Sequence, residues 1–190
     1  RIKRMNFRII ELIETEKFQY LRIHKNGNTS IKKCLDIHCK DWFQTDRLSE
    51  TKPRWTVIRD PYKRFLSGLS YDLKRHNVNV KDIRLDNLFT SNETHPRNLF
   101  LKNINHSISQ IPYLFNTKVE YYIDLDDLNL FLQMHFGESF CENKSNIDTT
   151  EIEKHLGKKE IMKYLNMDNY IYNYIKKSPF FWEGQHGKIF

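Results

Sequence analysis

The sequence predicts an α/β fold: one domain spanning 1–190, a parallel β-sheet flanked by helices, and a helical C-terminal part. Two observations carry this. Short apolar runs at 18–23 and 54–58 are each followed within a few residues by a helix start, the strand–turn–helix rhythm of a parallel sheet. Beyond 150 the apolar residues fall at helical spacing instead. Hydrophobic residues are 39% of the 190 and aromatics 14%. One core burying about two-thirds of the unfolded surface is therefore within reach.

The elements follow in order. The first strand, "FQYLRI" (18–23), runs into the polar stretch "HKNGNTSI", and a helix is expected from about Thr29 to Asp36, with Asn28, Thr29 and Ser30 able to cap it. The second strand is "RWTVI" (54–58). Asp60 suits the N-cap of the next helix and Pro61 its first turn, and Tyr62, Phe65, Leu66, Leu69 and Leu73 then recur at helical spacing. Residues 76–105 are polar, and short helices and loops facing a substrate are expected there. A third strand, "VEYYI" (119–123), precedes a helix from about Asp126 that Gly137 closes. Thr150 is placed to cap "EIEKHL" ahead of Gly157, and "EIMKYLNMDNYIYNYI" supplies a further apolar face. No internal repeat or linker interrupts the chain.

The net charge of +7 and pI near 9.2 favour anionic partners: nucleotides, nucleic acids, or sulfated and phosphorylated substrates. No stretch approaches the roughly 20 apolar residues of a membrane span, and "MNFRIIELI" is too short and charged for a signal peptide. Cys34, Cys39 and Cys141 cannot all pair and show no metal-ligand spacing, so a reduced, soluble intracellular setting is expected. The chain has no alanine and is rich in Asn, and the sequons at Asn28, Asn92, Asn105 and Asn143 are consistent with chance.

Two loops carry chemistry. A strand ending at Ile23 delivers 24–31 to the C-terminal edge of the sheet, where open α/β sheets bind ligands. Gly27 permits close backbone approach, the following helix offers free N–H groups and its dipole, and Lys25 adds a full charge. One phosphate or phosphosulfate suits this loop. A triphosphate with magnesium does not, because the G-x-x-x-x-G-K-[ST] wrap is missing. In the second loop, "VIRDPYKRFLSG", Arg59 can clamp a phosphate with its planar fork and Ser67 can add a hydroxyl donor. Taken alone, Arg59 is better explained as a partner of Asp60 or of a neighbouring carboxylate.

Together the two loops resemble the PAPS-dependent sulfotransferases (PAPS being 3′-phosphoadenosine-5′-phosphosulfate), and most closely the Golgi-type carbohydrate enzymes such as the heparan sulfate 2-O and chondroitin sulfotransferases. The resemblance implies a P-loop-kinase-like sulfotransferase fold. It implies that Lys25, Asn26, Gly27, Asn28, Thr29 and Ser30 cradle the 5′-phosphosulfate, and that Arg59 and Ser67 hold the 3′-phosphate. The R-D-P-x-x-R-x-x-S pattern runs intact through Arg64. Weaker similarity continues through "NHSISQ" (105–110), "VEYYIDLDDLNLFL" and "ENKSN" (142–146). The chain is short for that family, so a soluble bacterial or viral version is expected rather than a Golgi resident.

The implied reaction is in-line attack by an acceptor hydroxyl, expected to be that of a carbohydrate, on the sulfur of PAPS. Lys25 and the helix N-terminus would stabilise charge on the leaving adenosine 3′,5′-bisphosphate. No metal is implied. A general base is needed; His106, within the H-x-x-x-Q resemblance, ranks first, with Gln110 orienting it or the acceptor. Glu50, Asp46 and His38 are alternatives, lying between the two motifs. The aromatic stretches 113–122 and 164–182 offer rings for sugar stacking or for core packing. Two other readings stay open: a P-loop-like nucleotide kinase, and a basic nucleic-acid-binding domain using Lys32, Lys33, Arg54, Lys63, Arg64, Lys74 and Arg75.

Overall fold

A computed structural model describes residues 11–85, 109–115, 117–137 and 149–184. It is an α/β fold with a five-stranded sheet. The strands are β1 (Leu12–Glu14), β2 (Gln19–Leu21), β3 (Phe43–Thr45), β4 (Arg54–Ile58) and β5 (Tyr121–Asp124), in the order β3-β1-β2-β4-β5. The helices are α1 (Asn28–His38), α2 (Pro61–His76), α3 (Ile111–Phe115), α4 (Leu128–Phe136), α5 (Thr150–Leu156), α6 (Lys158–Tyr164) and α7 (Asn166–Lys176). Short 3-10 turns occupy Val80–Asp82 and Leu125–Asp127.

The sheet is mixed, which corrects the expectation of a parallel one. β2, β4 and β5 run parallel, but β1 pairs antiparallel with both β2 and β3. The cause is a tight hairpin ahead of β2. Thr15 Oγ1 accepts from the N–H groups of Lys17 (3.2 Å) and Phe18 (3.1 Å), and Thr15 N–H donates to Phe18 O (3.0 Å). A turn this short can join only antiparallel strands.

Alternation along the strands sorts the core. Tyr20, Trp55, Val57 and Ile123 face α1 and α4, packing with Ile31, Leu35, Phe131 and Trp182. Leu12, Leu21, Ile23 and Val119 cluster with Tyr113 of α3. Every residue of β4 is buried, as befits a central strand. A second cluster packs Phe65, Leu66 and Leu69 of α2 against Ile152 of α5 and Ile161 of α6.

The helix boundaries follow local chemistry. Asp60 caps α2 as expected, accepting from Lys63 N–H at 2.8 Å with Pro61 in the first turn. Gly137 closes α4 in the left-handed conformation. At α1 the expected side-chain cap is absent: Gly27, with φ 80, stands at the N-cap. Thr149 rather than Thr150 takes the N-cap position of α5, and the final apolar run breaks at Leu165 into α6 and α7. No described helix is long and apolar enough to cross a membrane, and Cys34 and Cys39 form no disulfide.

Gly27 also sets how the first loop meets the rest of the fold. A Cβ at this position would stand 2.5 Å from Leu128 Cδ2 and 2.9 Å from Leu125 Cδ1. The missing side chain makes room for two leucines at the β5–α4 junction. Gly27→Ala is expected to lower stability by about 2–4 kcal/mol in urea melts, through left-handed strain together with overpacking. A loss under about 0.5 kcal/mol would show that this contact does not constrain the loop.

Candidate functional site

Both loops singled out in the sequence emerge at the C-terminal edge of the parallel strands, and side chains tie them together. Asn26 is fully buried. Its Nδ2 donates to Val57 O of β4 at 2.6 Å and to Gln110 Oε1 at 3.3 Å. Gln110, itself buried, passes its own Nε2–H to Arg59 O (3.0 Å) and its main-chain N–H to Asp168 Oδ1 (3.2 Å). Asn28 is equally committed to the framework: its Oδ1 accepts from Tyr20 O–H at 2.6 Å, and its Nδ2 donates to Ile23 O at 3.0 Å. Asn26 and Asn28 were expected to meet the ligand. Their side chains instead shape the loop that would hold it.

The cations come next. Arg59 Nη1 donates to Lys25 O at 3.1 Å, and Arg64 Nε donates to His24 O at 3.1 Å. Lys25 adopts φ 66, a conformation that costs a non-glycine residue about 1–3 kcal/mol. Its Nζ stands 3.8 Å from the ring centroid of Tyr71. Arg64 and Tyr71 are thus two points where α2 touches the first loop, and Ser67 lies between them at i+3 and i−4, on the same helix face. Lys25 and Arg59 are therefore brought to one place, with Ser67 on the α2 face turned toward it. Gly27 and the first turn of α1, with Thr29 exposed and Ser30 buried, adjoin it.

The cations sit partly out of water. Burial lowers the Lys25 pKa from 10.5; the charge of Asp72 opposes that shift and Arg59 adds to it. Burial also lowers the Arg59 pKa, against the charges of Asp126 and Asp60. Arg64 is brought down to about 10, again chiefly by burial. Grouped and desolvated, these cations would gain from an incoming anion.

A third loop, after β5, brings carboxylates to the same edge. Asp124 is buried, accepts from Tyr172 O–H at 2.5 Å, and pairs with Lys176 at 3.1 Å. Burial first, and then the charge of Asp124, raises the pKa of half-buried Asp127. Exposed Asp126 pairs with Lys63 at 3.3 Å.

The candidate bases fare differently. His38 is at the far end of α1, about 15 Å of helix from Gly27. Asp46 and Glu50 lie in the loop before β4, at the opposite edge of the sheet. That loop is pinned to the start of β2, where Gln19 donates to Arg47 O (2.9 Å) and accepts from Ser49 N–H (2.9 Å). None of the three is brought to the cations. His106 lies outside the described residues. Tyr71 and Asp72 were missed by the sequence reading; for Tyr71 the signal was the spacing 64, 67, 71 on one helix face.

A cleft of about 370 Å³ opens at the far end of α1, lined by His38, Cys39, Trp42, His135 and Phe136 among others. It contains neither Lys25 nor Arg59, and burial raises the Cys39 pKa, which disfavours the thiolate. Among the described residues no group of His, Cys, Asp and Glu is arranged to hold a metal. Comparison with protein-family models, with characterised proteins and with solved structures gives no match.

Lys25 yields a test. Its lowered pKa means that the unfolded chain binds more protons between that pKa and 10.5, so this residue's penalty is full below the window and fades as pH rises through it. Lys25→Gly removes both the penalty and the left-handed strain. The variant is expected to exceed wild type by about 1 kcal/mol at neutral pH, with the gap narrowing towards pH 10.5 in paired denaturation curves. A variant less stable than wild type would contradict this.

Proposed function

We propose that the chain is a sulfotransferase that moves the sulfuryl group of PAPS to an acceptor hydroxyl, with a carbohydrate as the acceptor class. The observation that carries this reading is the meeting of Lys25 with the Arg64–Ser67–Tyr71 face of α2, beside Arg59. Two anion-holding elements, each following a parallel strand, stand together but remain separate. That suits a ligand with two distinct anionic ends, such as a nucleotide with a 5′-phosphosulfate and a 3′-phosphate. A P-loop-kinase-like arrangement of the three parallel strands belongs to the same reading.

In this reaction the acceptor oxygen attacks sulfur as the bond from sulfur to the 5′-phosphate oxygen breaks. The acceptor proton passes to a base, and adenosine 3′,5′-bisphosphate leaves with the electron pair of the broken bond. Lys25 and the N–H groups of the first turn of α1 stabilise charge on the departing phosphate. Arg59 and Ser67 hold the 3′-phosphate, and His106 is the proton acceptor. Two of the seven residues suggested for a nucleic-acid face, Arg54 and Arg64, are buried. Arg54 is spent on Lys118 O (3.1 Å) and Ser49 O (3.0 Å), which disfavours that alternative.

Thermal-shift measurements separate the readings. Adenosine 3′,5′-bisphosphate at a hundredfold excess over its Kd should stabilise the chain by about 2.7 kcal/mol, and Arg59→Ala should remove most of that. Stabilisation by ATP–magnesium alone would overturn the proposal in favour of a kinase, and a strongly salt-dependent oligonucleotide effect would favour nucleic acid. Lys25→Ala should cut PAPS turnover by about 100- to 1,000-fold while bisphosphate binding through Arg59 and Ser67 persists.

A further inference from the structure

We propose that Tyr71 is the positioning residue for Lys25, holding its ammonium on the ring face so that the charge stays at the α2 face and available to the co-substrate. This inference rests on the sulfotransferase reading for its consequence, but its geometry is independent of it. The 3.8 Å separation of Lys25 Nζ from the ring centroid is well inside the range of a cation–π contact, about 6 Å. Tyr71 is 39% exposed and belongs to none of the hydrophobic core clusters, so packing alone does not explain an aromatic residue there. The φ of 66 at Lys25 commits the backbone of that residue to an uncommon conformation, and the side chain it carries ends on the ring.

The choice of partner matters chemically. A carboxylate at position 71 would hold the ammonium too, but it would neutralise it and compete with an arriving anion. A ring attracts the cation through its quadrupole and leaves the full charge in place. Asp72, the neighbouring residue, is buried and supplies background negative potential to Lys25. Tyr71 thus fixes a position and leaves the charge for the ligand.

The test compares Tyr71→Phe, Tyr71→Leu and Tyr71→Glu in the full chain. Reductive ¹³C-methylation of lysines, with Lys25→Arg to assign the resonance, should show an upfield ring-current shift for Lys25 in wild type. It should persist in Tyr71→Phe and vanish in Tyr71→Leu. PAPS turnover, with water or a glycan as acceptor, should fall about tenfold in Tyr71→Leu with bisphosphate affinity within about twofold of wild type. Tyr71→Phe should restore it, and Tyr71→Glu should weaken both turnover and bisphosphate binding. A wild-type Lys25 resonance without the ring-current shift overturns the proposal, as does a Tyr71→Leu variant that binds bisphosphate and keeps wild-type kcat. If wild type neither binds the bisphosphate nor turns over PAPS, the sulfotransferase reading falls, and the resonance shift alone decides whether Tyr71 holds Lys25.

Discussion

The site depends on one buried amide. Asn26 sits in the turn after β2, yet its Nδ2 bonds to a carbonyl of β4 and to Gln110, which in turn bonds to Arg59 O. Loops separated by more than thirty residues of sequence thereby share one rigid connection. The arrangement has a cost: Asn26 Oδ1 is buried with no donor among the described residues, a deficit commonly worth about 1–3 kcal/mol. A half-satisfied amide in this place makes sense as part of a device that fixes where Lys25 and Arg59 stand. Arg59, bonded to Lys25 O, and Arg64, bonded to His24 O, take their places from main-chain carbonyls on the loop that Asn26 anchors.

What the sequence made legible was local. Asp60, Pro61 and the apolar spacing after them define α2 without help from distant residues, and Gly137 stops α4 for the same reason. What it hid was decided by chain reversal. The hairpin at Thr15 carries no glycine or asparagine to announce it, so β1 and the antiparallel part of the sheet went unread. The same blindness affected the candidate bases: Asp46, Glu50 and His38 have suitable chemistry and suitable places in the sequence, but the fold sends them to the far edge. Asn26 and Asn28 show a third limit. Their residue types suit a ligand or a framework equally well, and only their partners, Val57 O and Tyr20 O–H, distinguish the two.

The electrostatics of the edge follow from its three loops. The first two contribute Lys25 and Arg59; the third contributes Asp124, Asp126 and Asp127. The acids are largely occupied, since Asp124 is held by Tyr172 and Lys176 and Asp126 pairs with Lys63. Arg59 and Arg64 each donate to a main-chain carbonyl and Lys25 lies over a ring, neutral partners that orient a charge without cancelling it. Were the edge to bind an anion as proposed, partners of this kind would leave the charge available to it despite the nearby carboxylates.

The contact of Gly27 with Leu125 and Leu128 also bears on the order of events during synthesis. Both loops leave the ribosome before the floor beneath Gly27, which is encoded about a hundred residues later, and closing so large a loop is slow. A nascent chain that has not reached Leu128 carries the first loop without the surface that shapes it. If the edge binds a nucleotide as proposed, that capacity would arise only once the parallel sheet is complete.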